Sequence, residues 1–188
     1  MRLKNELLQK LSIHTTFDNQ AQQFETYKPS AVLIPLIDNY IPKIILTKRT
    51  AMLPLHANQI CFPGGLYHPQ DKNFIQTALR ETQEEIGLLT SQITPLGYFK
   101  HFFTLSGYYI VPIIGLITPP ITYHLNTAEV ATVIEAPLTY FLDLSRYKTM
   151  KVFNQKKLIE VCKITYQEHL IWGATAKILL EMAVQWHK

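Results

Sequence analysis

Two stretches decide how this chain is read: Phe62-Pro63-Gly64-Gly65 and, starting fifteen residues after Gly65, Arg80-Glu81-Thr82-Gln83-Glu84-Glu85-Ile86-Gly87-Leu88. Pro-Gly-Gly ends a short apolar strand, Ile60-Cys61-Phe62, because proline lacks a donor and glycine allows a tight turn. The pattern beyond it predicts a helix over about 72–86, with Asp71 as N-cap and Gly87 in the left-handed position past the end. Ile75, Ala78, Leu79, Thr82 and Ile86 recur at about 100° per residue and form its apolar stripe. Glu81, Glu84 and Glu85 lie beside that stripe. Spacings of three and four bring their carboxylates together at the C-terminal end of the helix, where like charge and the macrodipole both disfavour acids. Alone, such a cluster reads as a solvated acidic face. Behind a Gly-Gly turn, which lets main chain approach a ligand, it reads as a place for Mg²⁺ or Mn²⁺, hard cations that take carboxylate oxygens. Arg80 is placed to anchor the loop through a bidentate pair with a carboxylate.

Outward from this centre, the chain alternates between the two periodicities. Residues 3–12 carry Leu3, Leu7, Leu8 and Leu11 at helical spacing, and residues 13–29 read as a polar connector. Ser30 to Leu36 and Lys43 to Lys48 are strands around an Asp38-Asn39 turn, and Thr50 to Gln59 is irregular. Residues 95–103 and 107–117 read as strands on either side of Leu105-Ser106-Gly107. Val130 to Ala136 is a further strand and Pro137 to Leu144 a short helical or turn segment. A hairpin turns around Asn154 to Lys157, and a helix runs from about Ala174 to Trp186. No repeat or linker interrupts the sequence. One domain over residues 1–188 is expected, with 1–29 as N-terminal helix and connector and 30–188 as core, in an α+β arrangement around one central sheet system.

Composition narrows the function classes. The 188 residues are 47% hydrophobic, enough for a packed core. A net charge of +4 suits an anionic small molecule, but the lysines are scattered, with Lys156-Lys157 the one adjacent pair, so no nucleic-acid footprint appears. Cys61 and Cys162 form neither a metal pattern nor a disulfide framework and read as small buried hydrophobes. The charged N-terminus lacks the apolar core of a secretory signal, and no apolar run is long enough to span a membrane, so a cytoplasmic protein is expected. Leu3 to Leu11 could dock on a membrane or on a second subunit in a homodimer; packing on the domain is the reading preferred here.

The run Arg80 to Leu88 resembles the signature of the Nudix hydrolases, with Thr82 standing at an apolar position. The resemblance implies a Nudix-type α/β/α sandwich with a central mixed sheet, and metal-dependent attack of water on a pyrophosphate that links a nucleoside to another group. It also implies that Glu81, Glu84 and Glu85 ligate the metals and that backbone at Gly64 and Gly65 completes the site. The first half of the signature departs: the spacing is one residue longer, Lys72 stands where the first glutamate would fall, and Asp71 is the nearest acid. The branch that hydrolyses coenzyme A shares that longer spacing and has an added upstream motif. This chain is similar to it in Leu46-Thr47-Lys48-Arg49, in Leu53-Pro54-Leu55-His56-Ala57-Asn58-Gln59, and in Phe62 to Gly65. Pro54 replaces an arginine and Asn58 a glycine. Further matches are Gly107 with Val111-Pro112, Asn126 with Glu129-Val130, and Ile171 to Ala176.

The resemblance therefore implies hydrolysis of coenzyme A or its thioesters to 3′,5′-ADP and (acyl-)4′-phosphopantetheine, with ADP-ribose, NADH or another nucleoside diphosphate derivative as alternatives. A silent nucleotide-binding module is the reading from another class, and it would be favoured by loss of a box glutamate. Glu129 is either the general base or a surface acid ahead of a strand. Arg49 and His56 either contact substrate phosphate or cap local backbone. Tyr108 and Tyr109 either stack on an adenine or belong to the core. Trp172 reads as packing.

Overall fold

A ten-residue strand, β1 (Lys28–Ile37), runs through the centre of the molecule, and both of its faces are covered. Period two explains how: Ala31, Leu33 and Ile37 point to one apolar cluster, and Ile34 and Leu36 to the other. A strand buried on both sides needs apolar residues at nearly every position, which is why Ala31 to Ile37 reads as a continuous run. The computed structural model describes residues 2–17, 26–154 and 157–188.

Around β1, the strands β2 (Lys43–Arg49), β3 (Ile60–Cys61), β4 (Gly64–Leu66), β5 (Ile93–Tyr98), β6 (Phe102–Phe103), β7 (Tyr108–Ile117) and β8 (Val130–Pro137) complete an eight-stranded sheet. Its main order is β3-β2-β1-β7-β5, with β4 beside β1, β6 beside β7 and β8 beside β2. β1 and β7 are parallel from Lys28↔Tyr108 to Ile37↔Ile117, and the other pairings are antiparallel, so the sheet is mixed. Helix α2 (Phe74–Ile86) covers one face through Phe74, Ala78 and Ile86. The opposite face carries α1 (Arg2–Lys10), α3 (Leu138–Leu142) and α4 (Gly173–Trp186), with Leu3, Leu7, Phe141, Leu179 and Met182 in one cluster. A second sheet, ordered β11-β10-β9 from β9 (Lys148–Asn154), β10 (Lys157–Tyr166) and β11 (His169–Trp172), joins that cluster through Ile164 and Ile171. The result is an α/β/α sandwich. Among the described residues no helix is long and apolar enough to cross a membrane.

Several expectations are corrected. The catalytic-type helix starts at Phe74 rather than Lys72, and its N-cap is Asn73, whose side chain accepts from Gln76 N. Asp71 is instead drawn inward and used elsewhere. The buried face comprises Phe74, Thr77, Ala78, Thr82, Glu85 and Ile86, while Ile75 and Leu79 are half-buried. Docking on the sheet rotates the helix so that an acid, Glu85, enters the protected side.

Gly64-Gly65 is not only a strand stop: it begins β4, paired with β1 at Val32↔Gly64 and Ala31↔Gly65. A side chain on Gly64 would collide with the Ala31 carbonyl and Val32 Cα. Residues 95–103 form two strands separated at 99–101, with a bulge between Pro95 and Gly97. Part of the expected connector, residues 18–25, and the turn residues 155–156 lie outside the described residues; the flanking β9 and β10 do pair antiparallel. Leu3, Leu7 and Leu11 are packed into the core.

Candidate active site

The loop between β4 and α2 is built around the Asp71 carboxylate. It accepts from His68 N at 3.1 Å, from Thr77 Oγ1 at 2.8 Å, and from Arg80 Nε and Nη2 at 3.2 and 3.1 Å. The fork of Arg80 thus grips both carboxylate oxygens, the bidentate geometry that makes such pairs strong. Chiefly because Arg80 hydrogen-bonds to it, the Asp71 carboxyl is held down at about 2 despite its burial. The other end of Arg80 reaches the Leu66 carbonyl at 3.2 Å, Glu81 Oε1 at 2.8 Å and Glu84 Oε2 at 3.0 Å. One guanidinium therefore ties β4, the loop and two of the three box glutamates together.

Glu85 sits deepest, with its side chain 3% exposed. Gly64 N donates to its Oε2 at 3.3 Å, and Arg49 Nη1 lies 3.9 Å from its Oε1. Burial pushes the Glu85 carboxyl up to about 8, opposed by Arg49 and the Gly64 amide and reinforced by the charges of Glu81 and Glu129. Glu81 is raised in the same way, first by burial and then by Glu84 and Glu129, against the pull of Arg80. Glu84 is the exposed member.

Glu129 comes to this group from the far side of the sheet sequence. The carbonyls at the C-terminal end of α2 are capped by the next loop, His124 N to Ile86 O at 2.9 Å and Asn126 N to Glu85 O at 3.0 Å. Asn126 Nδ2 then donates to Glu129 Oε1 at 3.1 Å, and Thr50 N to the Glu129 carbonyl at 2.9 Å. Gly87 takes φ 74 beside this loop, where a side chain would strike His124.

The donor set fits a hard divalent cation. Besides burial, the charges of Glu84 and Glu129 bear on Glu81 and those of Glu81 and Glu129 on Glu85, so positive charge placed among them would steady the group. A side chain on Gly65 would fall on the Glu81 carboxylate, so main chain and carboxylate share one space there. Among the described residues the acids are not drawn into a closed cage of three; Arg80 holds Glu81 and Glu84 in ion pairs.

The remaining sequence-nominated residues are distributed as follows. Arg49 borders Glu85, and its buried Nε has no hydrogen-bond partner among the described residues. His56 is exposed, bonded to Gln59 Oε1 at 2.9 Å, and adopts φ 59. Asn58, in place of the glycine of the related motif, takes φ 60, a left-handed conformation asparagine tolerates better than most residues. Tyr108 stands at the start of β7, its backbone N–H donating to the Thr104 hydroxyl and its carbonyl accepting from it, and among the described residues it makes no hydrogen bond to a glutamate. Tyr109 is buried among Phe74, His101 and Phe103. Two contributors escaped sequence reasoning. Thr77 anchors Asp71, and a hydroxyl at a core position of the helix was its only trace. Cys61 lies against Thr47 Oγ1 at 3.3 Å near Glu85, and burial pushes its thiol up to about 11.

This α/β/α sandwich, with its glutamate-rich helix docked against a Gly-Gly strand, is a pyrophosphohydrolase by the family and the relatives that it matches. The Nudix domain profile matches residues 27–152, and the chain belongs to the Nudix family. A Photorhabdus laumondii protein named uncharacterized Nudix hydrolase NudL is 42% identical over 156 residues, covering 83% of each chain. A Citrobacter koseri protein of the same name is 33% identical over 181 residues, covering 90% of this chain and 94% of its own. Among solved structures, a MutT/nudix family protein from Enterococcus faecalis superposes with TM-score 0.53 at 14% identity, over 96% of this chain and 71% of that one. A C. elegans Ap4A hydrolase gives TM-score 0.50 at 20% identity, over 58% and 80%. At such identities these structures speak to the fold. Nudix hydrolases generally use divalent metal ions, in keeping with the donor set described above.

Proposed function

We propose that this chain, acting as one domain, uses Mg²⁺ or Mn²⁺ to hydrolyse the pyrophosphate bond of coenzyme A or its thioesters, releasing 3′,5′-ADP and (acyl-)4′-phosphopantetheine. The observation that carries this reading is Arg49. It closes the Leu46-Thr47-Lys48-Arg49 motif, stands 3.9 Å from Glu85 with the Cys61 thiol also against its side chain, and has a buried Nε that finds no hydrogen-bond partner among the described residues. An unsatisfied buried donor is costly, and a phosphate oxygen would satisfy it.

In this reading Glu81, Glu84 and Glu85 hold the metal, with main chain at Gly64 and Gly65 lining the same space. The ion supplies neutralisation of the pyrophosphate charge and a more acidic water. Glu129, oriented by Asn126, would take up the proton of the attacking water. Arg80 and Asp71 keep the glutamates and the β4 loop in place. ADP-ribose or NADH is the second reading, favoured by Pro54 standing where the related motif has an arginine. The cluster retains all its acids, which counts against a silent module.

The test offers the purified protein coenzyme A, acetyl-coenzyme A, ADP-ribose, NADH and diadenosine polyphosphates, each with Mg²⁺, Mn²⁺ or chelator, and identifies products by mass spectrometry. Cleavage of coenzyme A to the two named products is expected. Turnover of ADP-ribose alone would overturn the substrate, and no turnover of any compound would overturn the reaction.

A further inference from the structure

Two motifs left over from the glutamate box, Asn58-Gln59-Ile60 and Trp172, are 112 residues apart from Ile60 to Trp172, yet they line one cavity. Its other lining residues include Lys48, Glu168, His169 and Leu170, and its volume is about 330 Å³. That is near the lower end of small-molecule pockets, roughly 300–1,000 Å³. The cavity lies where β3, the edge of the large sheet, approaches β11, the edge of the small one, without a shared ladder. It opens on the α4 side: Ile60 and Ile171 belong to the apolar cluster under α1, α3 and α4, and Lys48 shares its side of β2 with Leu46 of that cluster. The glutamates are on the α2 side.

From the lining we infer a second binding site, separate from the glutamate cluster, for a nucleoside monophosphate. Lys48 is half-buried and has no ion-pair partner among the described residues, so an anion would complete it. His169, 13% exposed in its side chain, adds a second nitrogen to the lining; Glu168, 3.4 Å from it and also on the lining, is 77% exposed at the solvent side. Trp172, half-buried at the head of α4, lines the cavity with an aromatic ring, and its indole N–H bonds to nothing among the described residues. Asn58 brings an amide group that can read the edge of a heterocycle, and the amide of Gln59, whose Oε1 is bonded to His56, keeps its –NH2 to add to it. A phosphate, a stacking base and an edge to hydrogen-bond together describe a mononucleotide. Occupancy would also bear on the other face, because the Gln59 carbonyl accepts Arg49 N at 2.9 Å.

Equilibrium dialysis of AMP against the full chain in chelator tests the site without any turnover. Saturable binding is expected, weakened at least tenfold in Lys48→Ala and in Trp172→Phe, kept in Lys48→Arg, and unchanged in Glu85→Gln. Tryptophan emission should respond to AMP in the wild type and not in Trp172→Phe, leaving Trp186 as a silent control. No saturable binding would overturn the site, and so would binding that survives Lys48→Ala but is lost in Glu85→Gln. Neither result touches the hydrolase reading, which rests on turnover.

Discussion

Arg80 grips both oxygens of Asp71, at 3.2 and 3.1 Å, from nine residues further along the chain. Asp71, the acid nearest to where the general Nudix signature has its first glutamate, thus anchors the loop together with Arg80, as the sequence suggested, and does not cap the helix, as the sequence also suggested. Everything on the β4 side of the site depends on it, because Arg80 is also the partner of Leu66, Glu81 and Glu84.

Asp71→Ala should therefore destabilise the protein by about 2–4 kcal/mol, since it leaves the Thr77 hydroxyl, the His68 N–H and one side of Arg80 without an acceptor. Urea unfolding would measure this. Activity should fall further than stability accounts for, because Arg80 would no longer hold the glutamates in place. An unchanged unfolding midpoint would refute the anchoring role.

The same pair predicts acid behaviour. Asp71 is depressed to about 2 in the folded state, so its contribution is present above the ordinary carboxyl value near 3.9 and is lost as pH falls from about 4 to about 2. Comparing wild type with Asp71→Asn by thermal unfolding across pH 2–7 should show a gap on the order of 1–2 kcal/mol at pH 6 that closes below pH 3.

Glu85→Gln separates folding from metal chemistry. The buried carboxylate is disfavoured without a cation, so in chelator the variant should melt at or above the wild-type temperature. With millimolar Mg²⁺ the wild type should gain stability and the variant should not. Turnover should fall at least 100-fold in Glu85→Gln and in Glu84→Gln, as expected when metal-borne charge stabilisation is removed.

The two glycines should fail differently when given a methyl group. Gly64→Ala meets β1 backbone and a φ of 153, so it should destabilise the fold by about 2–3 kcal/mol. Gly65→Ala meets the movable end of Glu81, so the protein should fold nearly normally while metal-induced stabilisation weakens. Thermal melts with and without Mg²⁺ distinguish the two.

Glu129→Gln should lower kcat about 10²- to 10⁴-fold while leaving metal-induced stabilisation in place, the range expected for loss of a general base. Asn126→Ala should give a smaller loss that shares its pH profile, since Asn126 acts by orienting Glu129. If Glu129→Gln abolished metal stabilisation instead, Glu129 would be a ligand and the base would lie elsewhere.

Much of this was legible in the residues. The helix under the glutamates, the left-handed Gly87, both long strands β1 and β7 and the final helix all announce themselves through local periodicity and turn chemistry, which depend on neighbours a few residues away. So does the crowding of Glu81, Glu84 and Glu85, because helical spacing alone puts them side by side. The arrangements that make them a site are of another kind. The rotation of α2 that buries Glu85, the pairing of Gly64 with Val32, the arrival of Glu129 by way of Asn126, and the meeting of Lys48 with Trp172 each join segments distant in the chain. Their energies come from burial and from long-range pairing, and a short window of sequence contains neither partner.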